Sequence, residues 1–96
     1  MDGRTPREAT IASYAVEVRV MPREGILDPE GQTIGRALGE LGYEEVRGVR
    51  AGRLVRLSLD AEDAEAARER AAGMCEELLA NPVIEDYEID VREGDR

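Results

Sequence analysis

Tyr14-Ala15-Val16-Glu17-Val18-Arg19-Val20-Met21 sets the frame for the rest of the chain. Tyr14, Val16, Val18 and Val20 fall on alternate residues, the period of a β-strand with one face turned to a core. Upstream, Met1 to Ser13 mix charge, Gly3 and Pro6 without apolar periodicity, so residues 1–13 read as a flexible N-terminal extension. The folded domain is then expected over residues 14–92, with 93–96 as a C-terminal tail.

Downstream of the strand, Pro22 to Leu27 make a connection in which Gly25 allows a tight backbone. Asp28-Pro29 supplies an N-cap and a first-turn proline. Ile34, Ala37, Leu38 and Leu41 share one helical stripe and Gly42 offers a left-handed stop, which predicts a helix from Pro29 to Leu41. Gly31, Gly35 and Gly39 recur every four residues along it. The interior two each cost about 1 kcal/mol against Ala, so close backbone packing is a reason to keep them. Val46 to Val49 and Leu54 to Leu59 are β-prone and separated by Arg50-Ala51-Gly52-Arg53, which predicts a hairpin with Gly52 at positive φ. Asp60 is positioned to cap a second helix carrying Ala64, Ala67, Ala71, Met74 and Leu78. Asn81-Pro82 stops that helix, and Val83 to Val91 form a last strand.

The order is therefore βαββαβ and the class α+β: an antiparallel sheet with two helices on one face, in the ferredoxin-like arrangement. The other sheet face, with Ala15 and Met21 beside Glu17 and Arg19, is left to receive a second copy. A chain of 96 residues with no Phe, no Trp and three Tyr builds a thin core, which points to a homodimer or a dimer of dimers formed through the sheet.

A formal net charge of −9, from 13 basic and 22 acidic side chains, argues against nucleic-acid and anionic-membrane partners. No apolar run approaches the roughly 20 residues that span a bilayer. One cysteine, no histidine and no signal-peptide pattern point to the cytoplasm and leave no usual zinc set.

Three groups of side chains invite a chemical reading. Asp86, Glu88 and Asp90 share one side of the last strand and could hold a hard cation, but protection of an edge strand, with Arg19 pairing across, is the favoured reading. Arg47, Arg50, Arg53 and Arg56 concentrate positive charge around the hairpin and form a candidate partner interface. Cys75 has no activating base and reads as a packing residue. Gly25 and Gly31 lack the spacing and the Lys-Ser/Thr ending of a nucleotide loop. No catalytic, cofactor-binding or metal residue is assigned, and the chain is read as no enzyme on its own.

Several segments, taken together, resemble the PurS family, the small subunit of phosphoribosylformylglycinamidine synthase. They are Gly25-Ile26-Leu27-Asp28-Pro29-Glu30-Gly31, Ala37-Leu38 with Leu41-Gly42, Val49-Arg50-Ala51-Gly52-Arg53, and Cys75 with Leu78-Leu79-Ala80-Asn81-Pro82-Val83-Ile84-Glu85. Gly25, Asp28, Pro29, Gly31, Gly52, Asn81 and Pro82 are its structural motif. The chain departs from the family at Glu30, more often Gln, and at Arg53, more often Lys.

The resemblance implies a non-catalytic subunit in de novo purine biosynthesis. It would bridge a glutaminase subunit and a large, ATP-dependent synthetase subunit and assist ammonia transfer, with ATP and magnesium held by the large subunit. The competing reading of the same element order is an amino-acid-sensing regulatory domain of the ACT type.

Overall fold

Val16, Val18 and Val20 are the most deeply buried side chains of the central strand, β1 (Ala12–Pro22). They belong to a computed structural model that describes residues 11–94. Antiparallel neighbours flank β1 on both sides, β2 (Arg53–Ala61) and β3 (Glu85–Glu93), in the order β2-β1-β3. Register places Val16 between Leu57 and Val91, and Val18 between Val55 and Ile89. The alternation of valines thus becomes one apolar sheet face.

Helix α2 (Ala64–Met74) covers that face, setting Ala71 and the following Cys75 against the valines and Ala67 against Tyr14 and Ala61. Its small side chains let the helix approach closely, and volume comes from the flanking Leu57, Leu59, Ile89 and Val91. The helix runs into a π turn, Cys75–Leu79. One extra residue in that turn shifts the stripe, so Cys75 is buried while Leu78, expected on the core face, is 81% exposed. Tyr87 on β3 donates its hydroxyl to Glu76 at 2.7 Å and ties the turn to the sheet.

Helix α1 (Pro29–Glu40) starts and stops where Asp28-Pro29 and Gly42 (φ 103°) predict, but it does not pack on the sheet. Only Gly31 of α1 is buried. The helical layer over the sheet is therefore α2 alone, and α1 stands away as an arm.

The class, α+β on an antiparallel sheet, agrees with the sequence. Several details do not. Val46 to Val49 pair with no strand among the described residues, so the hairpin is absent. Gly48 weakens the segment as a strand, and Asp28 takes the Ala51 N–H at 2.9 Å, drawing the chain alongside α1. Gly52 does not have positive φ; glycine is required because a Cβ would collide with the Val20 carbonyl oxygen and the Met21 sulfur.

Asp60 lies inside β2, opposite Ser13, and the cap of α2 is Asp63, whose Oδ1 accepts the Ala66 N–H at 2.8 Å. Val83 and Ile84 belong to the turn before β3. Ala12 and Ser13, read as extension, pair with Ala61 and Asp60 in the sheet, and Glu93, read as tail, pairs with Tyr14. The remainder of the expected extension, residues 1–10, lies outside the described residues, as do 95 and 96.

Two outcomes follow from this core. Val18→Ala removes buried methyl groups from the centre of the contact between the sheet and α2 and should cost about 2–3 kcal/mol in urea unfolding. Cys75 is fully buried and its thiol is pushed up by burial and by Glu76. It should label slowly with thiol reagents until the chain is denatured, and rapid native labelling would contradict its placement.

Candidate partner interface

Three separate turns meet at one end of the sheet, and each is held there by charge-assisted hydrogen bonds. Asp28 joins two of them: Oδ1 accepts the Gly31 N–H at 3.0 Å, capping α1, and Oδ2 accepts the Ala51 N–H at 2.9 Å. A Cβ on Gly31 would lie 2.5 Å from both Asp28 Oδ2 and the Val49 carbonyl oxygen, so only glycine fits where the two chains cross.

Arg53 secures the third turn. Its guanidinium forks onto Glu85 at 3.0 and 3.1 Å and also donates to the Leu79 carbonyl at 2.6 Å. Glu85 accepts the Asn81 N–H at 2.8 Å, the Asn81 side chain accepts the Val83 N–H at 3.2 Å, and Arg23 donates to the Pro82 carbonyl at 2.6 Å. Asp28, Pro29, Gly31, Gly52, Asn81 and Pro82, far apart in sequence, thus meet around one junction, while Gly25 supplies a positive φ in the connection that leads to it.

Electrostatics reinforce it. The Ala51 and Gly31 N–H groups, helped by Arg50, hold the Asp28 carboxyl below its ordinary range. Arg53 first, then the Asn81 N–H, does the same for Glu85. On this firm base sit apolar side chains that nothing covers. Ile26, Leu27 and Ile84 line a cleft with Pro22, Pro29 and Ala51, and Leu27 is 69% exposed. Val83, in the adjoining turn, is 80% exposed, and Leu78 projects from the π turn beside it. Such a patch on a rigid base is the form of a protein-docking surface.

The four arginines do not gather into one patch. Arg53 is engaged in the junction, and Arg56 pairs with Glu17 at 2.9 Å on the helix-free sheet face. Arg47 lines a cleft beside α1, whereas Arg50 lines a separate one with Arg53, Arg19 and Asp86. Asp86, Glu88 and Asp90 are spent on ion pairs: Arg23 with Asp86 at 3.6 Å, and Arg19 with Glu88 at 3.2 Å and Asp90 at 3.6 Å. No group of acidic, histidine or cysteine side chains suited to a metal ion occurs among the described residues. Among them, too, no helix is long and apolar enough to cross a membrane.

Sequence reasoning missed the exposed Leu27, Leu78 and Val83 as candidates. For Leu27 and Val83 the signal was present, since each lies beside a cap or stop motif and off any periodic core stripe, whereas Leu78 sat on the expected stripe of the second helix and gave none.

Comparison with known proteins gives a consistent match. A family model for PurS, phosphoribosylformylglycinamidine (FGAM) synthase, matches residues 15–93. The phosphoribosylformylglycinamidine synthase subunit PurS of Methanocaldococcus jannaschii is 42% identical over 78 residues, covering 81% of this chain and 94% of that protein. Its counterpart in Mycobacterium leprae is 46% identical over 74 residues, covering 75% and 87%. Among solved structures, Bacillus subtilis PurS superposes with a TM-score of 0.74 at 40% identity, covering 83% of this chain and 99% of that one. A chain of PurLQS from Thermotoga maritima gives 0.74 at 40% identity, covering 85% and 98%.

The junction titrates in a defined direction. Because the folded Asp28 value is depressed, its contribution is present above the unfolded value and lost as pH falls through the lower folded one. The Gly31 and Ala51 amide resonances should report a titration below the ordinary range of an Asp carboxyl. That titration should vanish in Asp28→Asn, and a midpoint at or above the ordinary value would contradict the paired geometry.

Proposed function

The chain belongs to the PurS family, and we infer that it is the non-catalytic subunit of phosphoribosylformylglycinamidine synthase, a glutamine-dependent, ATP-using ligase of purine biosynthesis. We propose that it bridges the glutaminase and synthetase subunits of that enzyme and assists the passage of ammonia between them. The supporting observation is the junction: a rigid, hydrogen-bonded base carrying uncovered Leu27 and Val83. A bridge needs shape, stiffness and apolar contact area rather than a nucleophile.

The physical benefit lies in concentration. Ammonia released into bulk water is diluted and mostly protonated, whereas a joined pair of subunits delivers it at high effective concentration to the second site. ATP belongs to the complex, and we assign its magnesium to the large subunit. We assign the assembly to the cytoplasm, a reading with which a lone, buried free thiol at Cys75 is compatible. Arg47 and Arg50 remain candidates for contact with an acidic partner surface. The effector-sensing reading of the element order finds no support in the family match.

Copurification tests this reading. The wild-type chain should co-elute with both larger subunits, and Leu27→Asp combined with Val83→Asp should stay folded yet bind at least one of them about tenfold more weakly or worse. A folded double variant that co-elutes like wild type would refute the docking surface. Failure of the wild type to bind either subunit would refute the bridge.

A further inference from the structure

A second cleft adjoins the junction, where the end of β1 meets the entry to β2. Its volume is about 490 Å³, and Met21, Pro22 and Leu54 form its apolar lining, with Leu54 50% exposed. It shares Pro22, Gly52 and Arg53 with the cleft that carries Leu27, so the two make one continuous surface. Met21 lies against Gly52, where a Cβ would collide with its sulfur, and that contact fixes the floor.

The charges of this cleft do not balance. Of the three arginines on its lining, Arg19 pairs with Glu88 at 3.2 Å and Arg53 with Glu85 at 3.0 Å. Asp86 is matched by Arg23 at 3.6 Å. Arg50 is exposed and has no ion pair or hydrogen bond among the described residues. Asp28 lies near enough to feel its charge, but both carboxylate oxygens are already taken by the Gly31 and Ala51 N–H groups. The Gly52 N–H, on the same lining, is likewise unengaged among the described residues. One guanidinium is thus left over beside an apolar floor, where a charge-assisted hydrogen bond strengthens once water is excluded.

Resting on the bridging reading, we propose that this cleft receives an acidic side chain from one of the two larger subunits. Its carboxylate accepts from the Arg50 guanidinium, and the apolar residues beside it rest on Met21 and Leu54. Charge selects the occupant. A chain at −9 presents mostly carboxylates and suits basic partner surfaces elsewhere, whereas a basic side chain entering here would meet an unmatched guanidinium and be repelled. An acidic one gains the planar, two-pronged donor that arginine offers and lysine does not. Placed at the rim of the apolar patch, such a contact sets the register of docking more than its strength.

The sequence itself supplies the test. All 13 basic residues of the chain are arginine, so Arg50→Lys introduces its only side-chain amine. Carbodiimide activates a carboxylate, and an amine within bonding distance displaces the urea to form an amide. Mixed with both larger subunits and treated in this way, the variant should yield a peptide pair that joins position 50 to an Asp or Glu of one subunit. Arg70→Lys, exposed on α2, should not link to that same carboxylate. Arg50→Gln should stay folded and weaken binding of the linked subunit at least about tenfold at low salt, and by less as salt is added. With the wild type still bound, four results would overturn the cleft assignment and leave the bridge standing: no link from position 50, a link to Asp28 alone, the same link from Arg70→Lys, or unchanged affinity in Arg50→Gln. If the wild type binds neither subunit, the bridge and this site fall together.

Discussion

One carboxylate governs how the two parts of this molecule relate. Asp28 accepts from Gly31 with one oxygen and from Ala51 with the other, so the start of the arm helix and the entry to β2 are fixed to each other through a single side chain. The crossing is tight enough that Gly31 and Gly52 cannot carry a Cβ, one because of Asp28 and Val49, the other because of Val20 and Met21. Without that pairing, the cap of α1 and the path of Val46 to Ala51 would lose their common anchor. Two short hydrogen bonds therefore direct an arm that has almost no core of its own.

The second lock, Arg53 with Glu85 and the Asn81–Pro82 turn, stiffens the same end of the sheet. Neither lock has the arrangement of an acid–base pair poised for catalysis, since each carboxylate is engaged by N–H donors and held ionised. Their product is a surface of defined shape bearing Leu27 and Val83. The fold thus offers two apolar surfaces at different places, the junction and the arm.

Much of this was legible in the sequence, where local chemistry decides the outcome. The valines of β1 declare their strand because a one-residue slip would turn all of them to water. Asp28-Pro29 and Gly42 mark α1 because orphaned N–H groups and a left-handed stop leave little choice of residue. What could not be read is where α1 goes. An amphipathic stripe says that something covers it, not which chain does so. Asp60 and Asp63 are equally good caps on paper, and strand pairing with Ser13 decides between them. The π turn hid the identity of the stripe, since Cys75 and Leu78 exchange faces when one residue is added to a turn. The arginines were grouped by proximity in sequence, whereas β2 alternation sends Arg56 to the opposite face and Glu85 captures Arg53. Only the cap and stop residues of the junction were visible beforehand, because its apolar members obey no period.

The central claim is that the chain joins two active sites without contributing to either. The most direct measurement is turnover in a reconstituted mixture of the two larger subunits with and without this chain, driven first by glutamine and then by a large excess of ammonium salt. Omitting the chain should nearly abolish amidine formation from glutamine while ammonium-driven activity survives to a greater extent, because only the former needs a bridged path. Glutamine-driven turnover that is unchanged without the chain would contradict the account.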